Sequence, residues 1–359
     1  MTIAFLGVKG SISYIRIGGC ESIVRRLSHK LEEKGHKVYI ITYQEENKEN
    51  TTITSGIERV KLQTFNDVIS FLKENNILNV LTFFVAWKDR PRLFFFTLFN
   101  SAITFSTIIT NYKTNIIKRL IFNIETALNY RKGIIYCSSP RLLSGFSLLS
   151  KSNSKLLIPP VDDDFFTKTK NKTLDKNKTL HIAYMGRLDY GKGSDIAIKY
   201  FENSKLDNVT FHVFGYPHKT DPFSVKQHDN LNNQKRIKYH ETKVNNYSPA
   251  IDTFLKETID QIDVFVLPYR FVHSTIDSPL VPLEIMARKT LYLTTDVTGM
   301  EHLIIDKKLV VDIEKDNIDD QLIEIKNNPA PLEEALNNLQ NKLSYKAHQG
   351  AELIEKSLR

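Results

Sequence analysis

The stretch Leu180–Gly193, LHIAYMGRLDYGKG, decides how the chain is read. Ile182, Ala183, Tyr184 and Met185 form the centre of a buried strand, and Gly186 is expected to end it. Arg187 and Lys192 follow, with Gly191 and Gly193 on either side of the lysine. Ser194 then opens a helix that carries Ile196, Ala197, Ile198, Tyr200 and Phe201. A strand, a cationic glycine-bearing turn and a helix N-terminus together suit a bound diphosphate. The free N–H groups and the helix dipole favour an anion there, and Arg and Lys neutralise it. A surface turn with two solvated cations has the same composition, so the choice rests on the surrounding chain.

The chain has 359 residues, which is long for one α/β domain and natural for two. Two cysteines, Cys20 and Cys137, provide neither a disulfide framework nor metal-ligand spacing and point to a reducing compartment. The opening MTIAFLGVKG reads as a short strand rather than a signal peptide, having no basic leader and too short an apolar run. The formal charge of +8 is concentrated. Between Lys88 and Lys132 stand eight Lys/Arg and two acids, a net +6 interleaved with apolar residues. Such a zone suits an anionic surface or ligand.

Taken in order, Thr2–Leu6 reads as a strand, followed by the turn Gly7–Ser11 and the pair Gly18–Gly19. Ile23, Val24, Leu27 and Leu31 give a helix that Gly35 stops, and Val38–Thr42 is the next strand. This βαβ opening lacks the G-x-G-x-x-G spacing of a nicotinamide site. Its glycines would let a ligand approach the backbone, or simply make a loose loop. Ile57–Leu62 and Val80–Val85 read as strands, with a helix over Phe65–Lys73 between them.

Leu93–Tyr112 has no charge, but eight of its twenty residues are Thr, Ser or Asn, so it is no membrane span. Phe94, Leu98, Ala102, Phe105, Ile109 and Tyr112 predict one helical stripe, and Ile116, Leu120, Ile124 and Leu128 a second. Two core helices, or an interfacial surface on anionic lipid, fit that pattern. Gly133–Ser138 and Lys155–Ile158 are strands. The polar run from Asp162 to Lys178 is the expected linker, and its aspartates are read as solvated rather than metal-binding.

Strand and helix alternate again in the second half. Val209–Phe214, Ile237–Tyr239, Asp263–Leu267, Leu291–Thr294 and Val310–Val311 are strands. Helices are expected within Ser248–Thr258, over Leu280–Lys289, and as one long element over Leu332–Lys356. The alternation argues for an α/β protein of two doubly wound domains.

Five segments, in order, resemble the GT-B glycosyltransferases, and most closely the retaining glycosyltransferase family 4. They are Ile17–Thr42, Leu156–Phe166, Tyr184–Gly193, Asp263–Ala287 and Thr294–Ile304. The resemblance implies two Rossmann-like domains facing a central cleft. Residues 1–165 would form the acceptor side and 166–335 the nucleotide-sugar side. Residues 336–359 would be a helical segment packing back on the first domain.

It also implies roles. Arg187 and Lys192 would hold the donor diphosphate and stabilise its charge as the glycosidic bond breaks, with Gly186 beside them. Glu284 would accept hydrogen bonds from the nucleotide ribose. Leu280 and Val281 sit where the family's backbone meets the diphosphate end, and Gly18 and Gly19 would bring N–H groups to the donor from the other domain. The family's glutamate eight positions before Glu284 is replaced here by Ile276, with Asp277 the adjacent carboxylate and Pro279 in place of a glycine. No N-domain histidine near the reaction centre is identifiable.

The implied activity is retaining transfer of a hexose from a UDP- or GDP-type sugar to a hydroxyl of a glycan or lipid-linked glycan. The expected setting is cell-surface polysaccharide, glycolipid or glycoprotein assembly. No cofactor, metal or nucleic-acid partner is expected. A cytoplasmic location, peripheral on the inner membrane face through Lys88–Lys132, is the favoured setting. Two other readings stay open. One is a catalytically silent GT-B-like module that binds glycan or lipid, motivated by Ile276. The other is a related sugar enzyme such as a phosphorylase or epimerase.

Overall fold

The computed structural model describes residues 1–14, 18–83, 85–99, 102–110, 133–150, 153–167, 178–218, 220–242, 247–270, 277–312 and 318–358. The second predicted helix, at Ile116–Leu128, most of the Asp162–Lys178 linker and Ile276 lie outside these residues. The chain divides into two compact units, Met1–Asp162 with Ser344–Arg359, and Asp163–Leu343. The boundary thus falls three residues before 165. Residues 336–343 stay with the second unit, and the terminal segment of the first begins at Ser344.

The first unit is built on an eight-stranded sheet. Its strands are β1 (Thr2–Val8), β2 (Lys37–Tyr43), β3 (Glu49–Thr52), β4 (Ile57–Lys61), β5 (Asn79–Thr82), β6 (Thr104–Ile109), β7 (Ile135–Cys137) and β8 (Ser154–Leu156). Their order is β3-β4-β2-β1-β5-β6-β7-β8, and only the edge strand β3 runs antiparallel. Central β1 has Ile3, Ala4, Phe5 and Leu6 fully buried, as a parallel strand covered on both faces requires. The helix Gly19–Glu33 packs its Ile23, Val24, Leu27 and Leu31 face inward. The C-terminal helix Ala347–Leu358 lies against it, so close that a Cβ at Gly350 would meet Leu27 Cδ2 at 3.1 Å. Arg26 donates to Pro160 O (3.0 Å) and Asp162 (3.1 Å), tying that helix to the end of the unit.

Two predicted helices are corrected here. The single stripe through Leu93–Tyr112 is a helix over Arg90–Phe99 and then strand β6. Thr104, Thr107, Ile108 and Ile109 are β-branched and favour the extended state. Insertion between β5 and β7 buries both faces of β6, so its apolar run carries no clean alternation. Its polar members are satisfied within the sheet: Thr107 Oγ1 meets Thr82 Oγ1 at 2.8 Å, and Ser106 Oγ accepts from Ile134 N at 3.0 Å. The long helix over Leu332–Lys356 is likewise two, Pro329–Lys342 and Ala347–Leu358. Between them the chain extends to pair with Val161, which exchanges backbone hydrogen bonds with Tyr345 and Ala347 (2.8 and 2.9 Å). Tyr345 is buried in that join.

The second unit holds a five-stranded, fully parallel sheet of β9 (Leu180–Arg187), β10 (Val209–Tyr216), β11 (Ile237–Glu241), β12 (Val264–Leu267) and β13 (Leu291–Thr294). The order is β11-β10-β9-β12-β13. The strand succession therefore reverses between β9 and β12, and in the first unit between β1 and β5. In a doubly wound sheet the crevice at the carboxyl ends of such a strand pair is the place for a ligand. Val310–Val311 makes one bridge to Thr294 rather than a strand, and Ile318–Asn327 is a helix the sequence reading did not predict.

Candidate functional site

Strand β9 leaves the sheet at this reversal and turns into the cationic stretch. Gly186 does not end the strand. It pairs with Gly215 at φ +150, and Arg187 is the last β9 residue, paired with Tyr216. Tyr184 donates from its hydroxyl to Arg187 O (2.7 Å) and fixes the backbone there. Asp189 then organises the turn with both carboxylate oxygens. One accepts from Lys192 N at 2.8 Å and the other meets Arg187 Nη2 at 2.9 Å. The short 3-10 turn Tyr190–Lys192 closes on Gly193, which adopts φ +67. A Cβ at Gly193 would lie 1.8 Å from Pro268 O, so only glycine lets the turn pass this close to the exit of β12. The helix Ser194–Asn203 starts directly after it.

Lys192 is half-buried, its ammonium 4.7 Å above the ring of buried Tyr269. Burial pulls its pKa down to about 8; Asp189 pushes up against that, and Arg187 pushes down further. Tyr269 also links this turn to Glu284. Burial first, then the charges of Asp189 and Glu284, push the Tyr269 hydroxyl above its ordinary range. Glu284 lies on the helix Leu280–Ala287 and is buried in an otherwise apolar sequence. The end of that helix is anchored by Arg288. Its guanidinium takes both oxygens of Asp260 (2.9 and 2.5 Å) and the carbonyls of Phe165 (3.0 Å) and Thr167 (2.7 Å).

Asp277 and Ser278 precede the helix and are fastened to the turn after β13. Ser278, at φ +55, donates its N–H to Gly299 O (3.3 Å), and its hydroxyl meets His302 Nε2 at 2.7 Å. Gly299 has φ +97, and a Cβ on it would lie 2.6 Å from Asp277 Cγ. Burial pulls the His302 pKa down to about 4, against the opposing pull of Glu301 and Asp277. Leu280 is buried and Val281 half-buried at the start of the helix.

Arg187 and Lys192, which end and follow β9, and Asp277, Leu280, Val281 and Glu284, which lie between β12 and β13, thus belong to one unit. Gly18 and Gly19 belong to the first unit, at the start of the helix that follows β1. Gly18 has φ −177, an extended backbone open to any residue. Its missing side chain makes room for Glu21, whose Oε2 would be 2.3 Å from a Cβ there. Asp189, Asp195, Tyr269 and Arg270 were not singled out from the sequence. Asp189 had a local signal, an Asp three residues before Lys192 in helix-capping position. The others depend on the adjacency of β9 and β12.

The family described as glycosyl transferases group 1 matches residues 165–349. No curated protein matches the chain. Among solved structures, sucrose-phosphate synthase from Thermosynechococcus elongatus is similar at TM-score 0.73 and 13% identity, over 99% of this chain and 97% of that one. Anabaena HepE in complex with UDP and glucose is similar at 0.66 and 10%, over 99% and 98%. WaaG, a glycosyltransferase involved in lipopolysaccharide biosynthesis, is similar at 0.58 and 14%, over 98% and 99%. At these identities the structures speak to the fold, and the family match speaks to the chemistry. The chain belongs to the glycosyl transferases group 1 family and is a glycosyltransferase with the GT-B fold of two Rossmann-like units.

Proposed function

We propose that the protein transfers a hexose, with retention of configuration, from a nucleotide-diphosphate sugar to a hydroxyl of a glycan or lipid-linked glycan. One observation carries the reading: Arg187 and Lys192 stand on a single tightly built turn, ahead of a helix N-terminus, at the switch point of the second sheet. Cations fixed in this way stabilise the charge that grows on the leaving diphosphate without reorganising. Loss of one such contact is expected to cost about 10²–10³ in rate. The leaving phosphate would itself accept the acceptor's proton on the same face, so no separate strong base is required. Glu284 would hold the ribose hydroxyls, Leu280 and Val281 would meet the diphosphate end through their backbone, and Asp277 is the carboxylate nearest the sugar-contact position of the family.

The acceptor reading draws on the surface of the first unit. On the helix Arg90–Phe99, Phe95 and Phe99 are 57% and 86% exposed, and the Arg92 side chain is 62% exposed. Among the described residues no helix is long and apolar enough to cross a membrane. Exposed aromatics beside cations suit peripheral contact with anionic lipid, as on an inner membrane face in the cytoplasm.

The reading is tested by thermal shift with UDP, GDP and ADP, UDP first because it occupies the similar HepE structure. A donor screen by mass spectrometry follows, with a lipid-linked sugar among the acceptors. One nucleotide should stabilise the protein and Glu284→Gln should weaken that effect. If none of the three stabilises it, the UDP-, GDP- or ADP-sugar donor reading fails; product of inverted configuration would overturn retention.

A further inference from the structure

Arg270 follows β12 beside Tyr269 and reaches across to the donor turn through several directed contacts. Its backbone N–H donates to Gly191 O (3.0 Å) and its Nη1 to Tyr190 O (2.9 Å). The same guanidinium grips Asp195 with two parallel bonds, Nη1 to Oδ1 at 2.7 Å and Nη2 to Oδ2 at 2.9 Å. It also lies 4.1 Å from the centre of the Tyr190 ring. One side chain therefore clasps the turn that carries Lys192 and the helix that begins after it. The pair is largely withdrawn from solvent, with Arg270 and Asp195 side chains 18% and 30% exposed.

Asp195 gives this clasp a second meaning. It stands in the first turn of the helix Ser194–Asn203. A carboxylate there suits the helix dipole when the site is empty but repels an anionic ligand at the same helix end. The planar fork of Arg270 takes both of its oxygens, as a lysine's point charge cannot.

We propose that Arg270 is a positioning residue for the donor diphosphate: it holds the Tyr190–Lys192 turn against β12 and cancels the charge of Asp195 at the helix N-terminus. The proposal rests on reading that turn as the diphosphate site. Two consequences separate the roles. Removal of Arg270 lets the turn drift and leaves Asp195 facing the ligand. Removal of both side chains leaves the drift but takes away the repulsion.

UDP affinity is measured by calorimetry at low and high salt, with thermal unfolding alongside, for Arg270→Ala, Arg270→Lys, Asp195→Asn, the Arg270→Ala/Asp195→Asn pair and Lys192→Ala. Arg270→Ala should weaken UDP binding about 10- to 100-fold, the scale of lost charge-assisted bonds. Arg270→Lys should recover only part of that loss. The double variant should regain about threefold or more over Arg270→Ala at low salt, less at high salt, with no gain in melting temperature. Arg270→Ala binding UDP like wild type, while Lys192→Ala loses it, overturns the proposal and leaves the diphosphate site standing. Affinity that tracks melting temperature across the set reduces Arg270 to a structural ion pair and also overturns it. Lys192→Ala binding UDP like wild type overturns the diphosphate site itself. Should Arg270→Ala not fold, Arg270→Lys decides: wild-type affinity overturns the fork's role, and a loss supports it.

Discussion

Replacing Gly193 by Ala tests how the donor turn is built. At φ +67 an L-residue costs roughly 1–2 kcal/mol relative to glycine. The added methyl would lie 1.8 Å from Pro268 O, and both partners are backbone, so no rotamer change relieves the contact. The turn has to move away from β12, an overpacking cost of about 1–3 kcal/mol. Together these give about 2–5 kcal/mol, or about 5–15 °C on the melting of a unit of this size. Gly35 provides the comparison, because it has φ +80 with nothing within 4 Å of its would-be Cβ. Gly35→Ala should show the dihedral cost alone, about 1–2 kcal/mol. Scanning calorimetry reads both shifts. Gly193→Ala should also lose UDP affinity, since Lys192 stands on the displaced turn. If Gly193→Ala costs no more than Gly35→Ala, Gly193 is not held against Pro268 and the geometry given for the turn is wrong.

Three further outcomes are expected. Lys192, with its pKa drawn down to about 8 by burial, is cationic below that pH and neutral above it. UDP binding should therefore weaken as pH rises from 7 to 9 and take up protons near pH 8, visible as a buffer-dependent binding enthalpy; a pH-independent affinity in that range contradicts the role. On one face of the second sheet His181, His212 and His240 form a hydrogen-bonded row (3.1 and 3.2 Å) beside a cavity of about 440 Å³ that Glu257 also lines. Burial, then His240, His181 and Lys238, lower the His212 pKa to about 4, so the unfolded chain binds more protons between that value and the ordinary one. The melting temperature should thus fall as pH drops from 7 to 5, and His212→Phe should flatten that fall; an unchanged slope would show that the row does not titrate with unfolding. On the first unit, Phe95→Ser/Phe99→Ser should reduce flotation with anionic liposomes, and wild-type protein that stays wholly in solution removes the membrane reading.

What the sequence reveals about this site follows the range of the interactions. Strand β9, the Arg187–Lys192 turn and the helix after it were legible because their signals are local: an apolar run, flanking glycines and a helical repeat. The helix that carries Glu284 was legible from its apolar run, whereas the role of Glu284 came from the family resemblance alone. Strand β6 was misread because a strand buried on both faces loses the alternation that marks it, and its spacing then imitates a helix. The break at Leu343–Lys346 was invisible because its cause is pairing with Val161, far away in the chain. Arg270 carries no local sequence signal for the same reason. Its partners Tyr190, Gly191 and Asp195 become neighbours only when β12 takes its place beside β9. Asp277 could be named as the carboxylate of its loop, but its seat against Gly299 depends on the turn after β13.

The central claim is that Arg187 and Lys192 hold the donor diphosphate. Titration calorimetry of UDP against wild type and the Arg187→Ala/Lys192→Ala double variant, both checked for unchanged circular dichroism, tests it most directly. The account predicts measurable binding to wild type and a loss of about 100-fold or more in the double variant, the sum of two charge-assisted contacts. A double variant that keeps its fold and binds UDP as wild type does would contradict it.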